Sequence, residues 1–507
     1  MALTKSTEDP PYDLFIVGGG INGCGIARDG AGRGLSVCLA EMGDLAGATS
    51  SGSTKLIHGG LRYLEFYKFS LVRKALVERE ILWNIAPHII HPLRFILPHH
   101  RSLRPAWVLR LGLFLYDHLG GRKLLPATRV VNLRKDQSGA PLQPEFSTGF
   151  EYSDCSVDDA RLVVLNAVDA AERGAKIMTR TRVLSAQSEN EYWAITTRDA
   201  ENNIRSHRAR ILINATGPWV DKFLTAAFGK PEDRRIRMVR GSHIVVPKVD
   251  VRDRCYILQN ADKRIFFAIP YERNFTLIGT TDCDFDDDPG NARISGDEIA
   301  YLCASFNAYF TRTLKPADVV WSYSAVRPLL DDSDGNARKA TRDYHIETSR
   351  RNGRAPLINV FGGKITTYRK LGEAVLEKVG NHIKIPGKRW SGSTPLPGGD
   401  FPVDGFGRQV SGLQREYPFL SDRFCGRLVR LYGTRARTIL GKAEYIEDLG
   451  QCFGGDLFEA EVRYLIKREW ALQTEDILWR RTKEGLRIEP AGVKKLENFL
   501  ANQRPTL

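Results

Sequence analysis

A mixed α/β chain that carries an inserted antiparallel sheet and closes in a helical region is the fold class this sequence predicts. Three stretches carry the prediction. Residues 13–41 read as strand, tight turn, helix and strand; residues 236–281 alternate at period two; residues 459–486 read as helical.

The first stretch is DLFIVGGGINGCGIARDGAGRGLSVCLAE. Its apolar run from Leu14 to Val17 breaks into Gly18, Gly20 and Gly23 at G-x-G-x-x-G spacing. Ile21, Cys24, Ala27 and Ala31 then recur at helical intervals, and Leu35 to Ala40 form a second apolar run closed by Glu41. The first glycine permits the turn, the second admits backbone close to a pyrophosphate, and the third lets helix pack on strand. Phosphates suit the helix N-terminus, where unpaired N–H groups and the dipole favour anions. Glu41 can accept both ribose hydroxyls of an adenosine and disfavours a 2′-phosphate. Together these residues define a Rossmann-like dinucleotide-binding unit.

Gly, Ser and Thr dominate from Gly43 to Thr54, as a loop around phosphates and a ring system requires, and a Gly-Gly pair lies between His58 and Arg62. A helix is expected over 70–86, followed by prolines at 87, 92 and 98 and a polar stretch from Asp136 to Pro144. In FEYSDCSVDDARLVVLNAVDAAERGAK, Asp158 or Asp159 can cap a helix whose face is Leu162, Val163, Ala167 and Ala170, ending at Gly174. Strands through about 192–215 lead into Ala215-Thr216-Gly217, which resembles a second sheet strand ending beside the nucleotide.

HIVVP, CYILQN, RIFFAIP and FTLIGTT then predict an antiparallel sheet, followed by a helix over 297–311 and the strand VVWSYSAVRPLL. LINVFGGKITTYRKL repeats the opening logic, and its helix N-terminus can place positive charge at a cofactor ring. A Pro/Gly-rich linker begins near 388 and leads to the helical end. NAD-binding units usually continue as βαβ, so an interrupting antiparallel sheet points to FAD. The expected division is a discontinuous FAD-binding part (1–85, 146–225 and 322–387), a substrate or cap part (86–145 and 226–321) and a helical C-terminal part (388–507).

Composition narrows the rest. A length of 507 residues suits about two to four structural units, and 42% hydrophobic with 26% charged is ordinary for a globular chain. The eight cysteines form no C-x-x-C pair, so no zinc site or disulfide framework is expected, and a reducing compartment is. The tract Asp282–Asp288 has Asp287 where a calcium loop needs glycine and Arg293 where it needs a bidentate acid, so a solvated turn and no metal are expected. The opening MALTKSTEDPPYD holds neither an apolar core nor an Arg-rich amphipathic segment, so no signal or transit peptide is expected. No stretch approaches the roughly 20 apolar residues of a spanning helix.

The net charge of +14 is concentrated: nine Arg/Lys against Asp117 lie between Arg94 and Lys135. That window also carries Trp107, Leu109, Leu111, Leu113, Phe114, Leu115 and Tyr116, a composition that suits either an anionic lipid surface or a buried helix with solvated arginines. Nucleic-acid binding is not expected, because no such motif is present and the aromatics read as buried.

GGGINGCGIARDGAGRGLSVCLAE, ATSSGSTKLIHGGLRYLE, FEYSDCSVDDARLV, NATGPWV, GSHIVVP, GTTD, VRPLL, TRDY, FGGKITTYRKL and DILWRRTK, taken in order, closely resemble the bacterial aerobic FAD-dependent glycerol-3-phosphate dehydrogenases, of the D-amino acid oxidase-like flavoproteins. The resemblance implies oxidation of sn-glycerol 3-phosphate to dihydroxyacetone phosphate, with electrons passed from FAD to a membrane quinone. It also implies a peripheral protein on the cytoplasmic face of the bacterial inner membrane, on an anionic membrane surface, with a homodimer as the assembly to test. Substrate phosphate maps to Arg62, with Tyr63 beside it, and to Arg327, Arg342 and Lys364. Guanidinium forks and an ammonium are the groups a dianionic phosphate requires. FAD contacts map to Gly18, Gly20, Gly23, Glu41, Thr49, Ser50, Ser53, Lys55, Val183 (through its backbone), Gly217 and Thr366.

Loss of hydride from C2 leaves a hydroxyl proton to be taken by a base, and histidine suits that role. His58 is the first candidate and His243 the second. Neighbouring arginines would lower the pKa of His58 and keep it neutral and basic. Lys364, with the helix end after Gly363, would stabilise negative charge on the reduced ring. The competing readings are a soluble glycerol-3-phosphate oxidase using oxygen and, more remotely, an RNA-binding flavoprotein.

Overall fold

A computed structural model describes residues 10–101, 103–121, 124–228, 236–250, 252–260, 262–330, 343–350 and 354–503. The chain divides into two compact units, one of residues 1–50, 162–237 and 328–394, the other of 51–161, 238–327 and 395–507.

Among the described residues the first unit is built on an eight-stranded sheet. Tyr12–Val17 lies at its centre, parallel to Val37–Ala40 on one side and to Ile204–Asn214 on the other, where Leu357–Phe361 adds a further parallel strand. Leu14, Phe15 and Ile16 are fully buried because both faces of a parallel sheet are covered. The helix Ile21–Gly32 follows the glycine turn and packs on the helix Tyr368–Gly380, where Gly25 leaves room for the ring of Tyr368. An antiparallel meander, Arg182–Glu189 and Tyr192–Arg198, leads into Ile204–Asn214 as its alternation predicts. These two halves are the expected dinucleotide-binding architecture.

Among the described residues the second unit holds a ten-stranded, mainly antiparallel sheet and the helical C-terminal region. All four alternating segments form strands: Ile236–Pro247, Cys255–Gln259, Ile265–Tyr271 and Phe275–Gly279. Leu56–Ile57, Thr148–Val157 and Trp321–Leu330 join the same sheet. For that reason residues 51–85, 146–161 and 322–327, assigned from sequence to the FAD-binding part, fold with this unit, and 395–507 do so as well. The C-terminal helices Phe406–Glu416, Asp422–Tyr432 and Glu459–Glu469 enclose their own core of Leu413, Phe424, Leu428, Val462 and Leu465.

The basic window contains the helix Ala106–Leu119, which buries only Leu113 and Tyr116. Trp107 is 70% exposed and Phe114 55% exposed, with Leu111 between them, which corrects the reading of these aromatics as buried. Trp107, Leu111 and Phe114 recur at i, i+4 and i+7, so the helix has a second apolar stripe on its outer side, and period alone does not say which stripe packs. Among the described residues, no helix is long and apolar enough to cross a membrane.

Candidate active site

In the first unit the glycine turn is a cradle. A β-carbon on Gly23 would collide with the carbonyl oxygen of Gly18, so helix and strand meet at this distance only through glycine. Gly18 adopts φ +112° beside Ala215, where the strand ending in Ala215-Thr216-Gly217 arrives as expected. Gly20 caps the helix with no side-chain acceptor; the Ile21 N–H donates to Ser50 Oγ at 3.0 Å. Glu41 accepts the N–H groups of Gly19 (2.6 Å) and Gly43 (2.7 Å), leaving two of its four acceptor positions for ribose hydroxyls. Burial pushes its carboxyl above the usual range against those two hydrogen bonds. The buried Oδ1 of Asn22 has no partner, while its Nδ2 donates to the Gly362 carbonyl at 3.1 Å. Open space surrounds the position a β-carbon on Gly217 would take. A glycine cradle, an orphaned amide oxygen and a half-used carboxylate fit a bound dinucleotide.

Other expected cofactor residues are placed as follows. Thr49 and Ser50 open a 3-10 turn, Val183 lies at a bulge in its strand, and Thr366 is buried in the turn Ile365–Thr367 that Lys364 caps. Ser53 and Lys55 belong to the second unit and are both tied to Asp159. Ser53 Oγ donates to that carboxylate at 2.8 Å, and Lys55 Nζ donates to it at 2.8 Å and to the Ser51 carbonyl at 2.9 Å. Asp158, next to it, caps through the Arg161 N–H at 3.1 Å. Asp159 looked like no more than a helix cap from the sequence; only the fold reveals that it anchors the loop.

The second unit assembles a histidine, a tyrosine and an arginine. His243 is fully buried on Ile236–Pro247, which pairs with Trp321–Leu330. Along the latter strand Trp321, Tyr323 and Arg327 share one face. The His243 ring stacks on Tyr323, its Nε2 meets Thr54 Oγ1 at 3.1 Å, and its Nδ1 has no partner. Burial, then the charges of Arg327 and Lys55, hold its pKa well below the usual histidine range, so the ring is neutral. Arg327 donates to Thr280 Oγ1 at 2.8 Å and is paired with Asp282, so the acidic tract is not merely solvated.

On the opposite face of the two strands, Ser242 Oγ donates to Glu298 at 2.9 Å and meets Ser324 Oγ at 2.9 Å, and Thr281 also donates to Glu298. That buried layer fixes the residues flanking His243 and Thr280. His58 is half-buried. The next N–H, of Gly59, donates to Tyr116 Oη at 2.8 Å; Tyr116 in turn donates to Asp154, which Arg79 pairs at 2.6 Å. Arg62 and Tyr63 lie in the 3-10 turn Leu61–Phe66, both half-buried. Arg342 lies outside the described residues.

Residues 13–369 match the family described as FAD dependent oxidoreductase, and residues 391–501 match the C-terminal domain of alpha-glycerophosphate oxidase. The chain belongs to the FAD-dependent oxidoreductases, and its cofactor is FAD. It is 50% identical to a D-erythritol 1-phosphate dehydrogenase of Brucella abortus over 96% of both chains. It is 49% identical to an aerobic glycerol-3-phosphate dehydrogenase of Escherichia coli, covering 96% of this chain and 97% of that one. In structure it is similar to the glycerol-3-phosphate dehydrogenase of Bacillus halodurans complexed with FAD, with a TM-score of 0.79 and 26% identity, over 99% of this chain and 92% of that one.

Proposed function

We propose that this enzyme oxidises the C2 hydroxyl of sn-glycerol 3-phosphate to give dihydroxyacetone phosphate, with a membrane quinone as final electron acceptor. The single observation that carries this reading is Arg327 beside a buried, neutral His243 on adjoining strands, a cation for a phosphate and a base for a secondary alcohol. FAD, when bound, supplies the hydride acceptor, and the glycine turn, Glu41, Ser50, Asn22, Gly217 and Thr366 are the residues that would hold it.

Arg327 and Arg62 hold the substrate phosphate through charge-assisted hydrogen bonds, and Thr280 with Asp282 keeps the Arg327 fork in one orientation. His243 takes the hydroxyl proton in the tautomer whose Nε2–H donates to Thr54 Oγ1, which leaves the lone pair on Nδ1, an atom with no hydrogen-bond partner among the described residues. A dianionic substrate offsets the charge of Arg327, which raises the imidazole pKa toward the working pH and strengthens the base as substrate arrives. His58, on a half-exposed loop, is the second candidate. Lys364 supplies positive charge where the helix Tyr368–Gly380 begins.

The outer face of Ala106–Leu119 supports peripheral binding to an anionic membrane surface on the cytoplasmic side. Trp107, Leu111 and Phe114 are exposed there together with Arg110, and Arg101 and Arg104 are exposed in the segment that precedes the helix.

A second reading is favoured by the Brucella relative: D-erythritol 1-phosphate is also a phosphorylated polyol. Anaerobic mixing of the purified holoenzyme with each polyol phosphate, followed at the flavin absorbance, separates the two. Glycerol 3-phosphate is expected to bleach the flavin faster at lower concentration; preference for the four-carbon substrate would overturn the first reading. Peroxide yield with and without an added quinone then tests the acceptor.

A further inference from the structure

Four aromatic rings stand in series in the second unit. Trp479, in the turn Asp476–Arg481 of the C-terminal region, stacks on Trp321 with centroids 4.4 Å apart and planes 13° apart. Trp321 meets Tyr323 at 5.1 Å, and Tyr323 stacks on His243 at 4.9 Å with 16° between planes. Two of the four rings, Tyr323 and Trp479, are also held from the side. The Tyr323 hydroxyl donates to the Ser53 carbonyl at 2.8 Å, and the Lys55 ammonium sits 4.9 Å over its ring. Gly485 passes so close to the Trp479 indole that a β-carbon there would lie 2.6 Å from it. Trp479 packs against the core of the C-terminal helices, while Trp321 and Tyr323 pack against the core of the sheet.

We infer that Trp479 is a positioning residue for the oxidation, acting through Trp321 and Tyr323 to hold the imidazole of His243 at the angle proton transfer requires. A strand histidine is fixed by its backbone only to the β-carbon, and its outer torsion is broad, so the ring's plane is set by what lies against it. One side of this ring meets the backbone of Gly279 and the other meets Tyr323. Tyr323 has the same freedom, and Trp321 limits it; Trp321 is limited in turn by the Trp479 face. The helical C-terminal region thus supplies the end wall of a stack whose other end is the base. Proton abstraction depends on distance and angle, and displacements near 1 Å cost as much as about a hundred-fold in rate. Substrate binding rests on Arg327 and Arg62, which are not members of this series.

This inference rests on the reading of His243 as the base. The test is anaerobic stopped-flow reduction of the full-length holoenzyme by glycerol 3-phosphate, comparing the native chain with Trp479→Leu and Trp479→Phe. Leucine keeps the site apolar and removes the flat face; phenylalanine restores a flat face. We expect Trp479→Leu to lower the limiting reduction rate about ten-fold with less than about a two-fold change in half-saturating substrate, and Trp479→Phe to recover most of the rate. In a His243→Ala background, Trp479→Leu should change nothing further, because its effect passes through that ring. A native limiting rate in Trp479→Leu overturns the inference, as does a loss that Phe does not recover, a loss matched by weaker binding, or an equal loss in the His243→Ala background. If Trp479→Leu does not accumulate with FAD, Trp321→Leu is judged by the same criteria. A native enzyme that neither polyol phosphate reduces, or a His243→Ala enzyme of native rate, would instead refute the functional reading.

Discussion

His243 lies directly across the ladder from Gly279, and its imidazole fills the space that a β-carbon at Gly279 would need. The ring is therefore clamped between the Gly279 backbone and the Tyr323 face. Gly279→Ala is expected to push the ring off its position, slowing flavin reduction while leaving half-saturation by substrate near the native value. Overpacking of this kind costs about 1–3 kcal/mol of stability, so a modest fall in Tm should accompany it. A Gly279→Ala enzyme that is reduced at the native rate would show that the ring's position does not matter.

Arg327→Ala should act on the other half of the site. Removing one charge-assisted fork from a half-buried site is worth about 2 kcal/mol, or about thirty-fold in half-saturating substrate. Arg327→Lys should recover little of this, since an ammonium cannot reproduce the fork that Thr280 and Asp282 orient. Titration of the reduction rate against glycerol 3-phosphate measures both; native half-saturation in Arg327→Ala would remove this residue from the phosphate contact.

How far the sequence could be read depends on separation along the chain. The glycine turn, the helix behind it and Glu41 are legible because about thirty consecutive residues carry every part of them, and the covalent spacing sets the geometry. The strands of 236–281 are legible for the same reason, since alternation is local. What stayed hidden was made by distant residues meeting: Lys55 and Asp159 are 104 positions apart, and Trp321 meets Trp479. Neither partner carries a local pattern that names the other. The helix Ala106–Leu119 was ambiguous for a different reason, since either of its two apolar stripes could have been the buried one.

Acid should destabilise the fold through histidines buried neutral. His88 is fully buried, and burial, then the charges of Arg161 and Arg435, lower its pKa from 6.5 to about 3. His91 is lowered in the same direction by burial and by Arg430. The unfolded chain then binds protons that the folded chain does not, so stability is full above pH 6.5 and is lost as pH falls toward the folded value. At pH 5 His88 alone contributes a loss of about 2 kcal/mol. His88→Phe should flatten the fall of Tm between pH 7.5 and 5, whatever its effect on Tm at neutral pH. An unchanged slope would place the acid sensitivity elsewhere.

The exposed stripe of Ala106–Leu119 yields the last expectation. Trp107 and Phe114 stand out from the surface beside Arg110, while Tyr116 on the inner side is hydrogen-bonded to Gly59 and Asp154, so the helix is anchored by one face and free on the other. Large apolar side chains left in water gain about 1.5–3 kcal/mol each on burial, and each nearby cation gains roughly 1 kcal/mol at an anionic surface. Vesicles containing phosphatidylglycerol should therefore sediment the native protein at low salt, and less of it as salt rises. The double variant Trp107→Ser, Phe114→Ser touches none of the buried contacts of this helix and should keep its FAD, yet bind such vesicles at least about ten-fold more weakly. Charge neutralisation at Arg101, Arg104 and Arg110 should weaken binding further and reduce its salt dependence. Binding to neutral vesicles as tight as to anionic ones, or an unaltered double variant, would mean that another surface meets the membrane.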